Sequence, residues 1–406
     1  MRKALGFAVL GVLAVAGAGA WWHTRRPPPE RCLVRDLGAH LGRDHLLLGG
    51  QMEGSILRLE PFDVRYHYIA GGVPDAPCTD CRACSVDGVS CKNPSPCGWW
   101  GCWQRDDQPP GQWVGQFLAE TERHRTIPMI TWYQWNAVAG RVDEGPEIAA
   151  LADPGKVRRY LDDFHALAVR IGAGAAGPVI VHLEPDLWGY ARKANPAPHQ
   201  VPVAVSAAEE PLCKGLPDDV TGLARCLSTI ARAEIPHVVV ALHASAWDRH
   251  ADVMINRSPD LDVVAHARAT AAYLQALGAA PDLLVVEMNH RDAGFNNAWW
   301  DPTDQQLPDI AQALTWARAL SEAMGVPHLW WQVPYGNLSL DDTCGRYRDN
   351  RLDYFFSHPD RFADGTTLGI AFGAGTACMT TAETDGGHFA QQAARWYAGP
   401  RPRLCP

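Results

Sequence analysis

Glu184, Asp186, Glu287 and Asp292 each fall at or just past the end of a short apolar run. One run spans 178–186 and ends in Glu184-Pro185-Asp186; the other spans 282–290 and carries Glu287 near its end. Two carboxyl groups facing each other across a cleft can cleave a glycosidic bond. One stays protonated and donates to the leaving oxygen while the other stays ionised. Carboxyls as close as those of Glu184 and Asp186 push one pKa up, which suits the acid. We read Glu184 as the first catalytic group, Asp186 as its tuning neighbour and Glu287 as the second carboxylate. Asp292 takes that place if the loop after Glu287 folds inward. The scaffold alternative makes Glu184 a buried acceptor for Arg65 or a nearby His.

Polar and aromatic residues gather round these four. Strand alternation puts His182 on the face of Glu184, Asn289 on that of Glu287, and Trp330 with Gln332 on another. His243 ends its own run. Asp63, Arg65 and His67 alternate on one face of an earlier run, read here as inward. Three ionisable groups there must pair or serve a site; an Asp63–Arg65 ion pair is the structural alternative. The chain has 16 Trp, and Trp132, Trp135, Trp188, Trp247, Trp299, Trp300, Trp330 and Trp331 fall at or near the ends of such runs. Flat rings with a polar edge suit sugar faces. Trp132, Trp188, Trp247 and Trp330 are therefore the substrate-binding candidates, with Asp63, Arg65, His67, His182, His243, Asn289 and Gln332.

The elements that must carry these residues are eight apolar runs: 45–51, 62–69, 127–134, 178–186, 237–245, 282–290, 328–334 and 368–375. Helical spacing occupies most of the intervals. Asp260 to Leu277, for instance, is apolar at 261, 264, 265, 269, 272, 273 and 276. Strand and helix alternating eight times predict an α/β fold, a TIM-type (β/α)8 barrel over 45–400. Its first helix is abbreviated, because little chain separates the first two runs. No Gly-rich phosphate loop follows an early strand, which argues against a nucleotide-binding open sheet.

Arg2 and Lys3 precede an apolar run over 4–22 that closes on small residues. Residues 1–22 read as a secretory signal peptide or as an uncleaved anchor, the one membrane contact expected. Residues 23–44 form a linker and N-terminal extension, and 401–406 a tail. Export makes disulfides the preferred state of the 12 cysteines. Six lie between Cys78 and Cys102, in a Pro/Gly-rich stretch over 74–110 without a core of its own. They are expected to bond among themselves as a loop insertion, a metal cluster being the alternative. Cys213 with Cys226, Cys344 with Cys378 and Cys32 with Cys405 are the other expected pairs. A formal net charge of −9 gives no reason to hold a phosphate backbone, so nucleic acid is not an expected partner.

Glu184-Pro185-Asp186 at a strand end resembles the E-P-D of glycoside hydrolase family 6. Ala241-Leu242-His243-Ala244-Ser245-Ala246-Trp247 is similar to that family's strand ending in a His-containing loop with Trp. Trp330-Trp331-Gln332-Val333-Pro334-Tyr335-Gly336 resembles its late W-x-K-P-x-G segment, with Gln332 in place of the lysine. The resemblance covers three short stretches. It implies an exported barrel acting on a poly- or oligosaccharide without a cofactor. It does not transfer the acid, because Tyr133-Gln134-Trp135-Asn136 follows the third run. Two other functions stay open: a non-catalytic carbohydrate-binding barrel, and a metal-dependent hydrolase using His67, His182, Glu184, His243, Glu287 and His290.

Overall fold

A computed structural model describes residues 32–74, 85–86, 89–90, 99–101, 111–247, 251–289 and 291–405. The signal segment, the six cysteines of 78–102, Trp103 and His290 lie outside the described residues.

All eight expected strands form. They are β1 (Leu47–Gly50), β2 (Val64–Ala70), β3 (Ile127–Tyr133), β4 (Val179–Leu183), β5 (Val238–His243), β6 (Leu283–Val286), β7 (His328–Val333) and β8 (Thr367–Phe372). Each pairs in parallel with its neighbour, and β8 pairs with β1, closing the barrel. A separate two-residue ladder, Ser85–Val86 with Val89–Ser90, lies outside it. Residues such as Val179-Ile180-Val181 are fully buried. Both faces of such a strand are covered, the inner by the barrel core and the outer by helices.

Helices fill the expected intervals, but in Val263–Leu277 the buried face is Ala267, Thr270, Ala271, Tyr273, Leu274 and Leu277, so of the expected apolar set only Tyr273 is buried. Asp153, Asp219 and Asp309 accept backbone N–H groups at the starts of Pro154–Gly174, Val220–Glu234 and Ile310–Met324. The first helix is a single turn, Gly54–Leu57. A recess of about 230 Å³ also lies on the outer wall beside β2, lined by Glu53, Arg65, His67, Trp113 and Glu120.

Cys213–Cys226 and Cys344–Cys378 are bonded, as expected. Cys32 and Cys405 are each disulfide-bonded as well. Such bridges suit an oxidising, extracellular compartment. Among the described residues no helix is long and apolar enough to cross a membrane. Cys213 and Cys226 are 13 residues apart, so in the chain-entropy model their bridge contributes about 3 kcal/mol. Replacing both by alanine should lower the unfolding free energy by about that amount in a urea titration of the oxidised protein.

Candidate active site

A cavity of about 460 Å³ opens at the carboxyl ends of the strands, where this architecture places its chemistry. Asp186 enters from the loop after β4, and Glu287 directly follows β6. One strand, β5, stands between those two and contributes His243. Tyr68 and Tyr133 come from β2 and β3, and Trp331 and Gln332 from β7. Tyr190 and Lys193 of helix Leu187–Ala194 line one side together with Trp247. Asp143, Glu144 and Arg291 complete the charged lining.

Asp186 and Glu287 are held differently. Asp186 Oδ2 accepts a 2.6 Å hydrogen bond from the Tyr133 hydroxyl. Burial raises the Asp186 pKa and that bond opposes the rise. Glu287 is pushed up to about 8, first by burial and then by the negative charges of Asp186 and Asp252; Arg351 and Arg291 counteract them. Near neutral pH, Glu287 is thus the group set to carry a proton.

Glu184 lies elsewhere. Its backbone has φ +44°, so the inward alternation of β4 stops at Leu183. The side chain is fully buried and does not line the cavity. Glu184 Oε1 accepts from Gln134 N (3.1 Å), Trp135 N (3.0 Å) and Tyr160 Oη (2.8 Å). The expected partner Arg65 is far from this: it donates to Met52 O and to Glu120.

The inner face of β2 is the reverse of the expectation. Tyr66 and Tyr68 point inward, each against Trp331. Asp63 lies before β2, at the opposite end of the barrel, where Arg43, His45, Leu48 N and Tyr397 bond it. No Asp63–Arg65 pair forms, because Arg65 and His67 turn outward onto helix Gln112–Arg123. The phenols bring more hydrocarbon into the barrel at a lower desolvation cost than three ionisable groups would.

Three of the candidate tryptophans pack in the wall. Trp132 sits against Tyr160 and Phe164, Trp330 against His328 and Phe362, and Trp188 donates to Leu183 O. Trp330 and Gln332 do not share a face. Gln332 has φ +56°, and the ladder with β8 skips it, so Trp331 and Gln332 both reach the cavity. Gln332 Nε2 donates to the Tyr68 hydroxyl. Asn289 and Asp292 brace the β6 loop. Asp292 accepts from Gly336 N and Thr380 N, and Asn289 O accepts from Arg351. Arg351 is itself buried, paired with Asp349 and stacked over Trp300.

Sequence reasoning left Tyr68, Tyr190, Lys193, Asp143, Glu144 and Trp331 out of the site. Tyr68 could have been found by preferring phenols to ions inside a barrel. Trp331 required knowledge of the irregularity at Gln332. Of the proposed metal ligands, His67 faces outward and Glu184 is turned away from the cavity. Among the described residues no three His, Cys, Asp or Glu side chains gather in a metal-holding group.

Trp247 is partly buried and forms an aromatic wall with Tyr190 at 5.1 Å between centroids. The Lys193 ammonium lies 4.5 Å from the Trp247 ring centre and 3.1 Å from Glu144. Gly189 makes room for the ring: a methyl group there would stand 2.8 Å from Trp247 Cζ2 and 2.7 Å from Ser245 Oγ.

The buried groups predict a pH dependence of stability. Glu147, Asp163 and Asp292 are pushed up to about 7, and Glu184 and Glu287 to about 8, in each case chiefly by burial. Burial lowers His243 to about 3, and His67 and His328 to about 4. Below pH 6.5 the two sets oppose each other. Above it the histidines are neutral both folded and unfolded, while the native carboxyls still hold protons that the unfolded chain has released. The native state then binds more protons, so stability falls as pH rises from about 6.5 to 8. Calorimetry at constant ionic strength should show a lower Tm at pH 8.5 than at pH 6.5.

Fold and cavity together define a class, a closed parallel (β/α)8 barrel with an acidic, aromatic-lined cavity at the strands' carboxyl ends. Solved structures that the chain resembles are glycoside hydrolases. They include the GH26 β-mannanase BoMan26A of Bacteroides ovatus (12% identity, 92% of this chain and 94% of that one, TM-score 0.47). A double mutant of the Cellulomonas fimi endo-β-1,4-mannanase matches at 12% identity over 73% of this chain, with TM-score 0.43. The Humicola insolens endoglucanase Cel6B matches at 13% over 58% of this chain and 64% of its own, with TM-score 0.33. The chain spans 61% of the length of the Cellulomonas fimi protein. No protein-family model matches, and no curated protein matches. At these identities the likeness is one of fold.

Proposed function

We propose that this chain is an exported glycoside hydrolase acting on a poly- or oligosaccharide. Glu287 is the general acid and Asp186 the ionised partner. The supporting observation is that these two carboxyls line one cavity from the ends of β4 and β6, and that the Asp186 charge adds to burial in raising the proton affinity of Glu287. Glu287 protonates the leaving oxygen. Asp186, held by the Tyr133 hydroxyl, stabilises the cationic sugar or activates water on its other face. Trp247 and Tyr190 offer stacking surface, and His243 and Gln332 offer hydrogen bonds to sugar hydroxyls. The likeness of Glu184-Pro185-Asp186 to the family 6 motif belongs to this proposal through Asp186, the member of the motif that lines the cavity.

The test is reducing-end release from a panel of polysaccharides, run beside binding to the same panel. Turnover that depends on Asp186 and Glu287 supports the reading. Binding without turnover on every member would make the barrel a carbohydrate-binding protein. That alternative draws on Gln332, an uncharged amide on the cavity at the β7 end.

A further inference from the structure

Thr131, His182 and His243 form a chain inside the barrel, of which the two-carboxylate reading uses only His243, as a hydrogen-bonding group toward sugar hydroxyls. Thr131 Oγ1 lies 3.2 Å from His182 Nδ1, and His182 Nε2 lies 3.2 Å from His243 Nδ1. The three side chains are 0%, 0% and 1% exposed. The imidazoles stack at 5.3 Å between centroids, and Trp331 meets both rings edge-on at 4.9 and 5.6 Å. Of the three, His243 alone lines the cavity.

Burial keeps both rings neutral, and His243 further disfavours the charged form of His182. A neutral imidazole has one donor and one acceptor nitrogen. The Nε2–Nδ1 contact needs a single proton between the rings. If His182 carries its proton on Nε2, His243 must also carry its own on Nε2. If His243 carries it on Nδ1, His182 must do the same. The tautomers are therefore locked in step, and the Thr131 hydroxyl, which can donate or accept, completes either direction.

We propose that Thr131–His182–His243 is a reversible hydrogen-bond chain that offers His243 Nε2 to a hydroxyl of a neutral carbohydrate, as donor in one direction and acceptor in the other. This rests on the carbohydrate reading of the cavity. His243 touches the ligand; His182 and Thr131 are positioning residues that set which way it bonds. Each ring holds one proton in both directions, so the barrel interior never takes up a charge. A sugar hydroxyl, itself both donor and acceptor, is the partner such an end matches.

Nitrogen-15 NMR of the full chain with labelled histidine tests this directly. His182 and His243 should report the same tautomer. His328, bonded at both ring nitrogens by Ser321 and Thr367 (2.8 and 3.1 Å), is the internal reference. Molar D-glucose should shift His243 Nε2 and leave His328 in place. Thr131→Val removes the hydroxyl. A buried N–H without an acceptor is costlier than an unused lone pair, so both rings should lose any Nδ1–H population and settle as Nε2–H. Thr131→Ser should behave as the parent. Opposite tautomers on the two rings overturn the proposal, as does a His243 signal unmoved by glucose. Both readouts come from the unsubstituted protein, so a folding defect in a variant does not blunt them. Opposite tautomers would leave the Asp186–Glu287 chemistry standing. Loss of turnover on every polysaccharide would strike that chemistry and leave the tautomers readable.

Discussion

Glu287→Gln is expected to cut polysaccharide hydrolysis by about 10²–10⁴-fold, the usual contribution of a positioned acid, with Tm nearly unchanged. The amide fills the same space but cannot give up a proton. The fold gives up little, since burial and neighbouring negative charge already disfavour the ionised form of this group. The parent's activity should decline as pH rises through about 8, where the acid loses its proton. That alkaline limb should be missing from the residual activity of Glu287→Gln. Initial rates from pH 5 to 10, on whichever polysaccharide the panel selects, check both points. Full activity in Glu287→Gln would remove Glu287 from the chemistry.

Glu184→Ala should be the most damaging single change to the fold. It strips the acceptor from two backbone N–H groups and a phenol, all buried. Each orphaned donor costs about 1–3 kcal/mol, so a loss of about 4 kcal/mol or more is expected. Glu184→Gln keeps an acceptor oxygen and has no charge to bury, and it should unfold close to the parent. Parallel denaturant titrations of the two variants show whether the missing acceptor accounts for the loss. A Glu184→Gln variant with parental stability and no turnover would return this residue to the reaction.

The barrel was readable because each strand is a dense Val/Ile/Leu or aromatic run bounded by turn residues, and such runs have few other ways to bury both faces. Pairing Cys213 with Cys226 and Cys344 with Cys378 followed from their neighbourhood in the chain. Asp186, Glu287, His243, Trp247 and Gln332 were all named from strand ends, and all line the cavity. The alternation rule failed where the backbone leaves the strand conformation. Glu184 and Gln332 both have positive φ, and neither residue type announces that in sequence. It failed again in β2, where Arg65 finds partners on helix Gln112–Arg123 that no local pattern reveals. The wall of Tyr190, Lys193 and Glu144 depends on how separate loops meet, which strand periodicity does not encode.

Gly189 and Trp247 carry a lesson for anyone who would breed new specificity into this barrel. The ring, with the Ser245 hydroxyl beside it, occupies the room that a side chain at 189 would need. Randomising 189 alone therefore yields mostly clones in which the platform is unseated, and a screen would score the position as intolerant. Randomising 247 alone explores smaller residues over a void that nothing fills. The useful library couples the two codons, so that bulk lost from one site is regained at the other. Its diversity then lies along a line of constant volume, and the wall can be reshaped without being dismantled.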